Sequence, residues 1–198
     1  MTGRFSQTTH LKDMFVIGVS GVTNGGKSSL CRSLLKLFPR STYLCQDTFF
    51  HKRVSGKLEY RSDLQSHNYD CIEAIDSELF FEDLKEIMAL SENYDFLFID
   101  GFLLFHFHTK IRFDKKFFFT LTMGQCLEKR LKRNYKTVGS LEYFHQLVWP
   151  CYTKYRDFCM HQFDDIFYLD GSEPSEKSLH LVSQELVQLL GTSSLNNQ

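Results

Sequence analysis

Long apolar runs are missing from this sequence. None reaches the ~18 residues that a membrane-crossing helix requires, and the first 13 residues are polar, unlike the apolar core of a signal peptide. A dominant charge is missing too: 23 basic and 24 acidic residues leave a formal net charge of −1. That balance gives no general electrostatic drive towards nucleic acid or an anionic membrane, so neither is expected as a partner. The 6 cysteines, Cys31, Cys45, Cys71, Cys126, Cys151 and Cys159, show no C-x-x-C spacing and no dense disulfide framework. They read as reduced, mostly buried thiols of a cytoplasmic protein. Internal repeats and low-complexity linkers are absent, and 198 residues fit one domain with at most a small lid. The expected division is a loose tail over 1–13, a domain over 14–190 with its lid near 127–142, and a polar tail over 191–198.

Apolar and aromatic residues are plentiful. Hydrophobic residues make up 42% of the chain, including 20 Phe and 9 Tyr, which is enough to bury a sizeable core. The most informative stretch is Gly21-Val22-Thr23-Asn24-Gly25-Gly26-Lys27-Ser28. It fits G-x-x-x-x-G-K-[ST], a loop whose backbone N–H groups wrap nucleotide phosphates, with the lysine on the β/γ-phosphates and the hydroxyl on magnesium. Its context agrees: Phe15-Val16-Ile17-Gly18-Val19 reads as a buried parallel strand, and Leu30, Leu34, Leu35 and Leu37 recur at helical spacing until Pro39.

Further along, Ser41 to Cys45 reads as a second strand that delivers Gln46-Asp47-Thr48-Phe49-Phe50 at its carboxyl end, where open parallel sheets hold their ligands. Asp47 is either a catalytic carboxylate or a cap, since aspartate favours both positions. Residues 51–68 lack periodicity and read as a loop of the kind that contacts substrate, ending at Asn68-Tyr69-Asp70. A helix is expected over Ile72–Met88. Asp95 to Gly101 reads as an apolar strand ending in Asp100, the carboxylate that commonly faces magnesium beside a phosphate loop. His106 and His108 lack a third ligand and are read as packing residues. Phe117 to Thr122 and Asp165 to Leu169 complete five strands, and a final helix is expected from Ser175 to Leu190. Pro150 should kink or interrupt the aromatic-rich segment 143–161. The one concentrated basic patch, Lys129 to Lys136, is either a solvated face or a lid that lowers Arg130 and Arg133, three apart on one helical side, onto phosphates.

Taken together, these motifs resemble the nicotinamide riboside kinases. The resemblance rests on Gly18 to Ser28, Gln46 to Phe50, Tyr69-Asp70, Gly101-Phe102-Leu103-Leu104-Phe105, Arg130-x-x-Arg133-x-Tyr135, Trp149-Pro150 and Tyr168 to Gly171. It implies an α/β P-loop NTPase fold with a five-stranded parallel sheet, flanking helices and a small helical lid. The implied activity is transfer of the ATP γ-phosphoryl to the 5′-hydroxyl of a pyridine riboside. Carried over by position, Gly21, Val22, Thr23, Asn24, Gly25, Gly26, Lys27, Ser28 and Ser29 bind ATP phosphates, with Lys129, Arg133 and Tyr135 on the nucleotide. Ser28, Asp47 and Asp100 hold magnesium, and Asp47 accepts the proton. Thr48, Phe49, Phe50, Tyr69, Asp70, Arg130, Tyr135 and Lys136 contact the riboside. Within that set Tyr69 and Tyr135 sandwich the ring, Asp70 binds the ribose hydroxyls, and Lys27, Arg130 and Arg133 assist transfer.

The chain departs from the family pattern in three places. Asp100 stands where a glutamate is common, which shortens the reach of the charge. Residues 137–142 lack the proline-rich, acid-containing turn, and Lys129 and Lys136 stand where the family has arginine and glutamine. Lys136 adds positive charge beside the pyridine site, which would favour a ring bearing a carboxylate. A uridine or cytidine kinase shares fold and loop and is the enzymatic alternative. A nucleotide-dependent scaffold with weak catalysis is the alternative of another class.

Overall fold

A computed structural model describes residues 14–133 and 140–195. Its main sheet has five parallel strands: β1 (Phe15–Gly21), β2 (Ser41–Cys45), β5 (Phe96–Asp100), β6 (Lys115–Thr120) and β7 (Ile166–Asp170), in the order β2-β5-β1-β6-β7. Between β2 and β5 lies a short antiparallel hairpin, β3 (Tyr60–Arg61) and β4 (Ser66–His67). The helices are α1 (Lys27–Leu37), α2 (Ser77–Met88), α3 (Met123–Leu131), α4 (Leu141–Tyr143), α5 (Trp149–Gln162) and α6 (Ser175–Leu195).

The central strands β1, β5 and β6 are largely apolar because both of their faces are covered, and the two-residue period splits their side chains between two cores. Ile17 and Val19 of β1, Phe96 and Phe98 of β5, and Phe117 and Phe119 of β6 pack with Leu30 and Leu34 of α1 and with Val182 and Leu186 of α6. Their neighbours Val16, Leu97, Ile99 and Phe118 face the opposite way, onto Phe80 and Leu84 of α2 and Tyr152 and Tyr155 of α5. A buried polar link ties the layers: Tyr155 Oη lies 3.0 Å from Ser20 Oγ and accepts the Phe105 N–H at 2.7 Å.

Several local expectations change. The helix predicted from Ile72 starts at Ser77, because Asp76 caps it by accepting the Leu79 N–H at 3.2 Å, and Ile72–Ala74 form a separate 3-10 turn. The stretch 51–68 contains the β3–β4 hairpin, whose strands are too short to show alternation. Pro150 does not break its segment. It sits in the first turn of α5, where a missing N–H costs little, and a π-helical stretch Phe144–Val148 joins α4 to α5 ahead of it. The last helix continues past Leu190 to Leu195. His106 stacks on Phe158, with ring centroids 4.7 Å apart, and His108 Nδ1 lies 3.0 Å from the Phe105 carbonyl. Among the described residues no helix is long and apolar enough to cross a membrane.

Candidate active site

The site is built on the carboxyl edge of the sheet, and the β1–α1 loop forms its centre. Gly21 has φ +114°, and a Cβ there would lie 2.2 Å from the Phe119 carbonyl oxygen. Glycine alone lets the chain leave β1 while Val22 N–H donates to that same oxygen at 3.0 Å. The loop ends at Gly26, the N-cap of α1, so the unpaired N–H groups and positive dipole end of an 11-residue helix face the loop. Such a terminus accepts anions, phosphate above all. Lys27 is buried, and its Nζ donates to the Gly21 and Val22 carbonyls at 3.0 Å each, which holds a cation inside the loop.

Parallel pairing brings the two carboxylates to the same edge. Asp100, at the end of β5, is in register with Cys45 of β2 and Val19 of β1, so Asp47 follows directly beside it. A Cβ on Gly101 would lie 2.3 Å from Gln46 Oε1. Its absence lets buried Gln46 accept the Leu103 N–H at 3.2 Å and fix the turn that presents Asp47. Asp47 accepts the Phe102 N–H at 3.4 Å. Its carboxyl opens to the cleft but is crowded by protein elsewhere. That loss of water lifts its pKa above the ordinary range, Lys27 pulls it back, and the Asp100 charge adds to the rise.

Asp100 Oδ1 accepts the Tyr43 hydroxyl at 2.8 Å, whereas its buried Oδ2 has no hydrogen-bond partner among the described residues. A buried carboxylate oxygen in that condition is costly unless a cation or donor meets it. Ser28 and Asp47 line one small cavity of about 100 Å³. A hydroxyl and two carboxylates are hard oxygen donors, so the residues present fit a magnesium ion.

Two larger cavities flank this small one. The first, of about 340 Å³, shares Thr23, Lys27 and Asp47 with it, and is walled by Phe50, Tyr69 and Asp70 on one side. Tyr152, Cys151, Phe102 and the buried Arg130 complete it. Tyr69 meets Phe50 edge to face at 5.5 Å, and its hydroxyl accepts Arg53 Nε–H at 2.8 Å. Burial raises the Asp70 carboxyl, while the Tyr143 hydroxyl at 3.0 Å and the Arg130 charge hold it down. The second large cavity, of about 470 Å³, shares Asn24, Gly26, Ser29 and Arg133 with the small one and extends along Lys129 and Gly171. Lys129 Nζ donates to the Gly171 carbonyl at 2.6 Å, which ties α3 to the β7–α6 turn.

Most residues singled out in the sequence therefore meet along one channel. Arg130 and Arg133, expected to act together, line opposite ends of it: Arg130 the 340 Å³ cavity, and Arg133 the other two. Four residues with expected contacts line none of the three cavities: Asp100, whose buried side chain bonds Tyr43, and three others. Phe49 is buried against Phe80, with centroids 5.4 Å apart; Thr48 Oγ1 donates to the Cys45 carbonyl at 2.8 Å; the Val22 side chain is core. Tyr135 and Lys136, and most of the lid turn with them, lie outside the described residues. Sequence reasoning assigned no individual role to Arg53, Tyr143, Cys151 or Tyr152; of the rings in 143–161 it expects most in the core and one or two at a base pocket. Cys151 and Tyr152 follow Trp149-Pro150, so the aromatic density there was the available signal.

No protein-family model matches the chain. Among curated proteins it is 31% identical over 189 residues to human nicotinamide riboside kinase 1, covering 89% of this chain and 94% of that one. It is 28% identical over 195 residues to mouse nicotinamide riboside kinase 2, covering 90% and 98%. Among solved structures, a possible uridine kinase from Bacillus stearothermophilus superposes with TM-score 0.52 at 14% identity, covering 78% of this chain and 89% of that one, a likeness of fold. With close to a third of its residues identical across nearly the full length of a curated relative, and with a phosphate loop, the Asp47 carboxylate and an aromatic cavity in one channel, the chain belongs to the nicotinamide riboside kinase family.

Proposed function

We propose that the protein phosphorylates the 5′-hydroxyl of nicotinamide riboside with ATP, giving the mononucleotide and ADP. The observation that carries this reading is the order of the three cavities: an aromatic one holding Asp70, a small polar one between Lys27, Ser28 and Asp47, and a large one beyond Arg133. An acceptor, a phosphate chain and a nucleoside need that sequence of spaces.

In the reaction the riboside lies in the 340 Å³ cavity, its flat cationic ring on the face of Tyr69, an attraction of about 0.5–2 kcal/mol. Asp70 accepts from the ribose hydroxyls, and Arg130 balances its charge. The loop amides from Gly21 to Ser29 and Lys27 cradle the ATP phosphates. Ser28, Asp47 and Asp100 would hold magnesium, which supplies charge neutralisation on the phosphate oxygens when bound. Asp47 takes the proton of the 5′-hydroxyl as that oxygen bonds to the γ-phosphorus, the bond to the β–γ bridging oxygen breaks, and ADP departs. Loss of water raises the Asp47 pKa, and a carboxylate with a raised pKa is a better proton acceptor than an ordinary aspartate. Arg133 compensates charge on the transferring group from the donor side.

A coupled assay of ADP release with Mg-ATP tests the reading, using nicotinamide riboside, nicotinic acid riboside, uridine and cytidine as acceptors and Lys27→Ala as control. Turnover on the pyridine ribosides that disappears in the control is expected. Turnover on uridine or cytidine alone would replace the reading with the pyrimidine kinase, and ATP binding without any turnover would replace it with the scaffold.

A further inference from the structure

Resting on the riboside reading above, we infer that Arg53 reads the substituent at C3 of the pyridine ring and makes the carboxylate-bearing riboside the better substrate.

Arg53 lies in the 3-10 turn Arg53–Ser55, in the polar loop between β2 and β3, and lines the 340 Å³ cavity. Its Nε–H donates to the Tyr69 hydroxyl at 2.8 Å. That bond seats the guanidinium at the tip of the tyrosine ring and leaves its two NH2 groups for another acceptor. Among the described residues no carboxylate forms an ion pair with it. The cavity's own acids are Asp47 and Asp70. In the proposed pose both are committed, one to the 5′-hydroxyl and one to the ribose.

The direction of the bound ring follows from the chain. The Tyr143 hydroxyl lies 3.0 Å from both the Tyr69 backbone N and Asp70 Oδ2, so a ribose held by Asp70 lies at the backbone end of the Tyr69 ring. A pyridine stacked on that ring then points its edge away from the ribose, towards the hydroxyl end, where Arg53 sits. The C3 substituent projects from that edge. A carboxylate there meets a planar fork of N–H donors in the geometry guanidinium prefers, whereas a carboxamide offers one neutral oxygen and turns an N–H2 donor towards a cation. Because Arg53 is exposed, the discrimination is modest, roughly three- to tenfold, the range of a solvent-reached ion pair.

The test is the ratio of kcat/KM for nicotinic acid riboside over nicotinamide riboside, measured in wild type, Arg53→Gln and Arg53→Lys. Loss of the Tyr69 bond affects both substrates, so the ratio isolates the carboxylate. We expect a ratio above one in wild type, a fall of about three- to tenfold in Arg53→Gln, partial retention in Arg53→Lys, and compression of the wild-type ratio in high salt, which screens exposed charge. Turnover on both ribosides with the same ratio in wild type and Arg53→Gln would overturn the inference and leave the kinase reading standing. Absence of turnover on either riboside in wild type would overturn both.

Discussion

The Tyr143 hydroxyl lies 3.0 Å from Asp70 Oδ2 and accepts the Tyr69 backbone N–H at 3.0 Å. One fully buried phenol thus fixes two consecutive residues of the aromatic cavity, and it comes from α4. Removing the hydroxyl leaves Asp70 as buried as before but without one of the groups that stabilise its charge. Tyr143→Phe should therefore raise KM for the riboside about tenfold, the scale of a hydrogen bond to a charged group, while kcat changes little. The sign in pH follows. Burial already raises Asp70 and Tyr143 opposes that rise, so the variant's carboxyl titrates higher. Asp70 makes charge-assisted bonds to the ribose hydroxyls only when ionised, so binding weakens as pH falls through its pKa. The acid limb of kcat/KM should move to higher pH in Tyr143→Phe, as read from rates across pH 4 to 8.

Asp47 is the proton acceptor in the proposed reaction, and its position depends on Gln46 and the Phe102 N–H rather than on its own charge. Asp47→Asn keeps the shape and removes the basicity. Turnover should fall by about 10²–10⁴-fold, the usual contribution of a positioned base, with ATP affinity held within about threefold. Rates set beside a nucleotide titration check this, and near-normal turnover would remove Asp47 from the role.

Gly21 combines φ +114° with a backbone oxygen 2.2 Å from where a Cβ would stand. Neither can be relieved by a side-chain rotation, because the obstructing atom is the Phe119 carbonyl that also receives the Val22 N–H. Gly21→Ala should cost about 2 kcal/mol or more in stability and weaken ATP binding with it. Urea unfolding gives the first figure and nucleotide titration the second.

The parts of the molecule visible in the sequence are those whose pattern is local. The sheet strands carry short runs of apolar and aromatic residues, and the phosphate loop is contiguous. Asp47 and Asp100 follow strands in the chain, so their meeting at one edge follows once the sheet is parallel. What escaped depends on contacts between distant segments. Tyr143 was one aromatic residue among many, and only the fold sets its hydroxyl against Asp70, 73 positions away. Arg53 stood in an aperiodic stretch whose hairpin strands are two residues each, too short to show a period. Pro150 was read by its usual effect inside a helix, and the π-helical turn that accommodates it has no sequence signature.

Phe49 and Phe50 are adjacent and were both expected at the substrate, yet the end of the 3-10 turn Gln46–Thr48 sends their rings to different places. Phe49 is buried and meets Phe80 of α2 edge to face at 5.4 Å; Phe50 lines the 340 Å³ cavity, stacked on Phe102 at 5.8 Å and edge to face with Tyr69 at 5.5 Å. Truncating each should separate stability from binding. Phe49→Ala empties a core site and should cost about 3–5 kcal/mol of stability. The KM for the riboside should be nearly unchanged in whatever fraction remains folded. Phe50→Ala leaves the Phe80 contact in place and removes one support of the Tyr69 ring, so it should raise KM several-fold with a smaller stability loss, on the order of 1–2 kcal/mol. Urea midpoints and riboside KM values for the two variants give both comparisons. A KM effect confined to Phe49→Ala would place the riboside on the other side of this turn.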